Sequence, residues 1–176
     1  MLKGKNIYLQ PITDEYTDKI IKWRNSENVK RYFLDREPLT PETHRAWLKN
    51  TVGTGKAVQF IIFENNGRPI GTVYLRDIDR NNRNAEFGIY IGEETERGKG
   101  YGSEALKLIC DHGFEELGLH KIILRVLLSN TKAMNVYKKM GFVQEGCFKD
   151  QIYADGEYSS LCFMALFEPN DENKPV

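Results

Sequence analysis

The sequence lacks an excess of charge of either sign and has no long apolar run. Its 176 residues include 25 Lys and Arg and 25 Asp and Glu, so the formal net charge is zero with histidine neutral. A protein that coats nucleic acid needs a basic face, and this balance argues against such a partner. No apolar run reaches the roughly 18 residues that a membrane-spanning helix needs, and no apolar signal core follows the N-terminus. We therefore expect a cytoplasmic protein with neither a membrane nor a nucleic-acid partner.

The sequence is also poor in the residues that build disulfide frameworks and metal sites. The three cysteines are Cys110, Cys147 and Cys162. The three histidines are His44, His112 and His120. The wide, irregular spacing of the cysteines fits neither a disulfide framework nor a zinc site. The histidines show no ligand spacing, so we expect them at the surface and predict no bound metal.

The overall composition is that of a globular protein. Hydrophobic residues make up 40% of the chain and charged residues 28%, which is typical of a domain with a sizeable core. No internal repeat or linker divides the chain. We therefore predict a single domain over residues 1–168 and a polar tail over residues 169–176. The function classes that remain are an enzyme and a binding module for a small molecule.

The hydrophobic pattern predicts strands and helices in a mixed order. Strands are expected at Asn6–Pro11, Ala57–Phe63, Ile70–Asp77, Asn84–Ile91, Lys121–Leu128, Phe142–Phe148 and Glu157–Phe167. Two helices are expected to start near Thr13 and Thr40, and two more to cover Ser103–Leu119 and Asn130–Met140. This order predicts an α/β fold with α+β character, in which helices pack on a mixed sheet.

A glycine-rich turn, Arg97–Ser103, joins the strand that ends at Ile91 to the following helix. Alternating glycines let several backbone amides point into one concavity, and the helix N-terminus adds its positive dipole, so the turn could hold phosphate. It is not a Walker loop, because Lys99 is followed by Gly100. It is not a dinucleotide fingerprint either, because Ser103 replaces the third glycine. A plain loop and helix cap remains the alternative.

Three segments in order resemble the GNAT acetyltransferases, which bind acetyl-CoA. Arg97–Gly102 is similar to the R/Q-x-x-G-x-G/A pyrophosphate loop of that family, and Ala85–Ile89 to its central strand. Asn130–Phe142 is similar to its N-x-x-A-x-x-x-Y…G-F helix. The resemblance covers about Leu2–Phe167. It implies the GNAT-like acyl-CoA N-acyltransferase fold, whose central mixed, mostly antiparallel sheet is flanked by helices, with acetyl-CoA as co-substrate.

The resemblance also implies which residues hold the cofactor. The loop residues expected to bind it are Arg97, Gly98, Lys99, Gly100, Tyr101, Gly102 and Ser103. The strand end, Ile89, Tyr90 and Ile91, is expected to pair its backbone with the pantetheine arm. Asn130 and Ala133 lie on one helix face with Tyr137, where a small Ala133 leaves room for the arm.

Two residues are candidates for the chemistry of acetyl transfer to an amine. Glu86 on the central strand is the candidate base, and we expect partial burial to strengthen it as a base. Tyr137 is the candidate acid for the departing thiolate. The alternatives are a half-exposed surface glutamate and a core tyrosine. A ping-pong route needs a cysteine nucleophile, but Cys110 lies on the apolar helix face, so we expect direct attack in a ternary complex.

The stretch before the first hairpin is expected to form the acceptor side. Residues 20–56 hold eight basic and four acidic side chains, and Trp23, Arg24, Tyr32 and Phe33 are the candidate substrate contacts. Core packing by Trp23 and Phe33 beside a solvated Arg24 is the alternative.

Two resemblances bear on the acceptor. The W-R-N segment at Trp23 is similar to one in acetyltransferases of nucleotide-linked amino sugars, where positive charge suits a diphosphate. The Thr40–Leu48 helix is similar to one in the ribosomal-protein alanine/serine N-terminal acetyltransferases.

These observations rank the possible acceptors. A protein N-terminus or a small primary amine comes first, an amino sugar second and a polyamine third, because a cationic substrate prefers an acidic wall. A non-catalytic acyl-CoA-binding module remains open, as does a homodimer formed through residues 142–167.

Overall fold

The computed structural model describes residues 1–169; residues 170–176, most of the predicted tail, lie outside the described residues. The strands are β1 (Leu2–Lys3), β2 (Ile7–Pro11), β3 (Val58–Glu64), β4 (Pro69–Asp79), β5 (Asn84–Ile91), β6 (Lys121–Leu127), β7 (Val143–Ala154) and β8 (Glu157–Phe167). The helices are α1 (Thr17–Arg24), α2 (Glu27–Lys30), α3 (Pro41–Trp47), α4 (Tyr101–Glu115) and α5 (Thr131–Lys139). The predicted strands and helices are present in the predicted order, and β1 and α2 are additional.

Sequence signals account for several helix boundaries. Thr40 begins α3 with a capping box in which its hydroxyl accepts from the amide of Thr43, and Pro41 occupies the first turn. The helix predicted at Ser103–Leu119 starts at Tyr101 and ends at Glu115. It ends early because the chain turns at Gly118 (φ +64°).

The strands form one sheet in the order β1-β2-β3-β4-β5-β6-β8-β7. Neighbouring strands are antiparallel except β5 and β6, which are parallel. This confirms the mixed, mostly antiparallel sheet. The parallel pair is short, because its register runs only from Asn84 opposite Lys121 to Glu86 opposite Ile123.

Helices cover both faces of the sheet. Ile61 and Ile62 are both fully buried, but in different clusters, because successive side chains of a strand point to opposite faces. Ile62 packs in the cluster that contains α4 residues such as Leu106, whereas Ile61 packs with Ile20 of α1. The sheet therefore separates an α4–α5 side from an α1–α3 side. Within residues 1–169, no helix is long and apolar enough to cross a membrane.

Candidate active site

The short contact between β5 and β6 opens a gap in the middle of the sheet. Beyond Glu86, β5 continues to pair with β4 as far as Ile91 opposite Gly71, while β6 continues along β8. The edge of β5 that faces β6 therefore has no strand partner over residues 87–91 in the described chain. A cavity of about 1240 Å³ opens at this gap. The free edge of β5 can pair with an extended ligand in the way that it would pair with an added strand.

The glycine turn forms the start of α4 beside this edge. Gly98 (φ +78°) and Gly100 (φ +89°) have left-handed backbone conformations that favour glycine. A Cβ at Gly102 would meet no atom within 4 Å, so the backbone at the helix N-terminus faces open space. Open amides at a helix N-terminus suit a phosphate, and together with the free β5 edge they fit the pyrophosphate and arm of CoA.

The loop's longer side chains bind other parts of the protein. Lys99 Nζ donates to Glu96 at 2.7 Å, and the Tyr101 hydroxyl donates to Glu64 at 3.1 Å. Arg97 lines the cavity, and its Nε donates to the Ile91 carbonyl at 3.0 Å. The residues Lys99, Tyr101 and Ser103 do not line the cavity. The groups that the glycine turn offers a ligand are therefore mainly backbone amides.

The α5 side of the cavity carries the other predicted cofactor residues. Asn130, Ala133 and Tyr137 all line it. The Asn130 side-chain oxygen accepts from the Ala133 amide at 3.3 Å, so it caps α5. The Tyr137 ring packs edge-on against Phe87 at 6.0 Å between centroids. Burial raises the pKa of Tyr137 to about 12. Its phenol is thus a hydrogen-bond donor at neutral pH.

Glu86, the candidate base, also lines the cavity, and it is paired with two arginines. It is 8% exposed and accepts from two arginines. Arg125 donates from Nε to Oε1 (3.0 Å) and from Nη2 to Oε2 (2.8 Å), and Arg76 donates from Nη2 to Oε1 (3.1 Å). A carboxylate has about four acceptor positions, so one remains free, on Oε2. Local sequence spacing does not reveal this pairing, because Arg76 and Arg125 come from different strands.

Tyr74 of β4 is a cavity residue that the sequence analysis missed. A Cβ at Gly88 would lie 2.3 Å from Cζ of Tyr74 and 2.4 Å from its hydroxyl oxygen, so the ring rests directly on the β5 backbone. Only glycine at residue 88 permits this approach. Burial raises the pKa of Tyr74, which keeps its phenol protonated. No local sequence pattern marks this contact, because it depends on the antiparallel register that pairs Tyr74 with Gly88.

On the acceptor side, three of the four predicted contacts line the cavity. Arg24 lies with its guanidinium 3.6 Å from the centroid of the Phe33 ring, and Tyr32 is 46% exposed. Trp23 is only 4% exposed, packs in the α1–α3 core and donates from Nε1 to Glu93 at 2.9 Å. The structure therefore places Trp23 in the core rather than against a substrate, since its side chain points into the packed face of α1.

His44 corrects the expectation of surface histidines, because it is 2% exposed and borders the cavity. Its Nδ1 lies 2.9 Å from the Thr17 hydroxyl, which donates its own proton to Asp14. Thr17 must then accept from Nδ1–H, which assigns the lone pair to Nε2, a buried atom with no partner in the described chain. Burial lowers the pKa of His44. His112 and His120 are partly buried.

No cysteine borders the cavity. Cys110 is 3% exposed, and burial raises the pKa of its thiol to about 12. Cys147 is exposed on β7 and Cys162 is buried on β8. Among residues 1–169, no group of three or more His, Cys, Asp and Glu side chains is placed to hold a metal ion.

Comparisons with known proteins agree with this geometry. Residues 6–143 match the family described as an acetyltransferase (GNAT) domain. The chain is 30% identical over 168 residues to the spermidine N(1)-acetyltransferase of Escherichia coli (strain K12), covering 96% of this chain and 89% of the relative. It is 26% identical over 165 residues to the putative ribosomal N-acetyltransferase YdaF of Bacillus subtilis (strain 168), covering 91% and 88%.

A solved structure shows the same similarity in three dimensions. The spermidine N-acetyltransferase from Vibrio cholerae in complex with CoA and spermine superposes with a TM-score of 0.87 at 26% identity, covering 93% of this chain and 96% of that one. The free β5 edge and the glycine turn account for acetyl-CoA as the acyl donor. The chain belongs to the GNAT acetyltransferase family and is an acetyl-CoA-dependent N-acetyltransferase.

Proposed function

We propose that this enzyme transfers the acetyl group directly to the primary amine of a small molecule while both substrates are bound. The observation that carries the proposal is that one cavity contains the free β5 edge, Glu86 and Tyr137 and is bordered by no cysteine of residues 1–169. An acetyl-enzyme intermediate has no thiol at hand there. Glu86 and Tyr137 in one cavity also count against a non-catalytic binding module.

The backbone of two elements is proposed to hold acetyl-CoA, which supplies a thioester as acetyl donor. The amides of the glycine turn, Gly98–Gly102, bind the pyrophosphate. The β5 edge, Ile89–Ile91, pairs with the arm and aims the thioester toward Glu86. Asn130 and Ala133 border the arm from α5. Lys99, Tyr101 and Ser103 contribute through their main chain.

Glu86 is proposed to receive the proton of the acceptor amine. The protonated form of an alkyl amine has a pKa of about 10, so the amine first loses one proton to solvent, and the proton that Glu86 receives is the second one, released as the nitrogen attacks. The two guanidinium groups stabilise the charged carboxylate and leave one acceptor position on Oε2. Glu86 therefore orients the amine, directly or through a water, and takes its proton as the new N–C bond forms and the nitrogen becomes acidic.

Tyr137 is proposed to stabilise the thiolate that leaves when the C–S bond breaks. A thiol has a pKa of about 8.5, well below that of the buried phenol. Tyr137 therefore acts mainly as a hydrogen-bond donor, and the thiolate needs no complete proton transfer.

The acceptor is the part of the function on which the relatives and the cavity differ. The relatives named spermidine acetyltransferases favour a polyamine over the protein N-terminus that the sequence analysis ranked first. A polyamine is therefore one candidate acceptor. The cavity's arginines favour a different one, discussed below. A homodimer through residues 142–167 and a cytoplasmic location stay predictions.

The experiment is an amine panel with acetyl-CoA, read by mass spectrometry and thiol release, on the wild type and on Tyr137→Phe. We expect at least one small primary amine to be acetylated. Tyr137→Phe should lower kcat by about 100-fold, the usual effect of one oriented donor, with little change in CoA affinity.

Tyr153→Phe is the matched control, because Tyr153 is exposed on β7 and does not border the cavity. It should leave kcat unchanged. Unaltered turnover in Tyr137→Phe would remove Tyr137 from the mechanism. An acetylated protein isolated from the wild type with acetyl-CoA alone, on a residue required for turnover, would contradict direct attack.

A further inference from the structure

We propose that the acceptor amine also carries an anionic group, a carboxylate or a phosphate, which Arg24 binds. This inference rests on the proposed function and names the substrate class of the same cavity. It distinguishes this enzyme from relatives whose names specify a polyamine.

The Arg24 guanidinium is held in place, and the acidic group near it is the exposed carboxylate of Asp35. One face lies on the Phe33 ring at 3.6 Å, and Nη2 donates to the backbone carbonyl of Asp35. Nη1 is buried with no hydrogen-bond partner, and Arg24 makes no ion pair with any residue in the range 1–169. Burial lowers the pKa of Arg24. Arg24 as a whole is half-buried, but a buried donor such as its Nη1 is costly unless a ligand supplies the acceptor.

The other charges of the cavity favour an anion as well. The cationic residues that border it are Arg24, Arg31, Arg76, Arg97, Arg125 and Lys132, and the acidic ones are Asp35 and Glu86. Glu86 is already shared by two arginines. Asp35 is exposed, and its Oδ1 accepts from the Glu37 amide. A polycation would therefore meet repulsion and a single exposed acid, whereas an anion meets an unpaired guanidinium.

Arg24 and Glu86 border the same cavity, so one acceptor molecule can contact both. Both charges act on the buried phenol of Tyr74, which rests on β5 at Gly88. Tyr74 borders the same cavity as both groups. A bidentate contact to Arg24 would fix the distance from the anion to the amine, which is how a planar guanidinium selects carboxylates and phosphates.

The test compares amines in matched pairs that differ only in the anionic group: β-alanine with β-alaninamide, and glucosamine 6-phosphate with glucosamine, with spermidine alongside. We expect kcat/KM to favour the anionic member of at least one pair by about 10-fold or more, as for a hydrogen bond to a charged group. The pair that shows the preference distinguishes carboxylate from phosphate. This part needs no variant.

Two variants then assign the preference to Arg24. Arg24→Gln should reduce the ratio within the pair toward one, and Arg24→Lys should restore only part of it, because lysine lacks the bidentate fork. Arg80→Gln is the control for the loss of one positive charge, since Arg80 is exposed and does not border the cavity. It should leave the ratio unchanged.

Different failures have different meanings. Spermidine as the best substrate, with no preference for either anionic amine, would overturn the inference and leave the proposed function standing. An anionic preference that persists in Arg24→Gln would overturn the role of Arg24. Failure to acetylate any amine would overturn the proposed function itself.

Discussion

The proposed donor and acceptor sides of the cavity are formed by different kinds of chemical group. The proposed donor side uses backbone: the free edge of β5 and the glycines of the turn before α4. The acceptor side uses charged side chains from four elements, among them Arg24, Arg76 and Arg125. A backbone site tolerates most side chains around it, so it can stay the same while the acceptor changes. This explains how one fold serves relatives with different named substrates.

The largest effect is expected when a glycine on the proposed donor side is replaced. Gly100→Val should weaken CoA binding by about 100-fold or more, because a β-branched residue at φ +89° must move the turn and misdirect its amides. Isothermal titration calorimetry with CoA measures the loss. Acceptor binding should be affected much less.

Gly67→Val is the matched control for backbone strain. Gly67 has nearly the same conformation (φ +87°) and open space around it, but lies in the β3–β4 hairpin. It should cost stability without changing CoA affinity. Equal losses of CoA binding in the two variants would mean that the glycine turn is not a phosphate site.

A smaller effect is expected where the two sides meet, at Gly88. Gly88→Ala should destabilise the fold by about 1–3 kcal/mol, because the new methyl group would lie 2.3 Å from Tyr74 Cζ unless the ring moves. Urea unfolding measures the change. In a Tyr74→Leu background the same substitution should cost clearly less, since the two residues are coupled.

Gly146→Ala on β7 is the control, since a Cβ there meets no atom within 4 Å. It should change the free energy of unfolding little. Additive costs of Gly88→Ala and Tyr74→Leu would show that the ring does not depend on the glycine.

The smallest effect concerns His44, on the acceptor side. Burial lowers the pKa of His44 in the folded protein below the value of about 6.5 expected in the unfolded chain. As the pH falls through 6.5 the unfolded chain binds this proton first, so the free energy of unfolding decreases by at most about 1.4 kcal/mol per pH unit. The stabilising contribution of neutral His44 to the free energy of unfolding is fully present only above about pH 6.5.

The measurement is urea unfolding of the wild type and His44→Gln between about pH 7.5 and pH 5, a range around the ordinary histidine pKa of about 6.5. The wild type should lose more stability across this range than the variant. Parallel curves would contradict the assignment of a neutral, buried His44. His112→Gln serves as a comparison, because burial lowers the pKa of His112 too.

The two sides also differ in how far the sequence predicted them. The glycine turn, the strand end and the α5 face were predicted as local patterns, and the structure places Gly98, Gly102, Ile89 and Tyr137 on one cavity. Local spacing suffices there, because consecutive residues form the site. On the proposed acceptor side, the sequence predicted both Trp23 and Phe33 as aromatic substrate contacts. In the structure Trp23 lies in the core, whereas the ring of Phe33 stacks against the Arg24 guanidinium.

The sequence by itself determined the order of strands and helices and the turn before α4, because these follow from periodicity and from residues adjacent in the chain. Its resemblance to the GNAT family implied the acetyl-CoA chemistry. Only the tertiary structure decided what surrounds Glu86 and His44. The arginines on Glu86 come from β4 and β6, and the Thr17 that fixes His44 comes from α1. Sheet register and helix packing bring such groups together. The net charge of zero likewise gave no sign of an acceptor wall dominated by arginine.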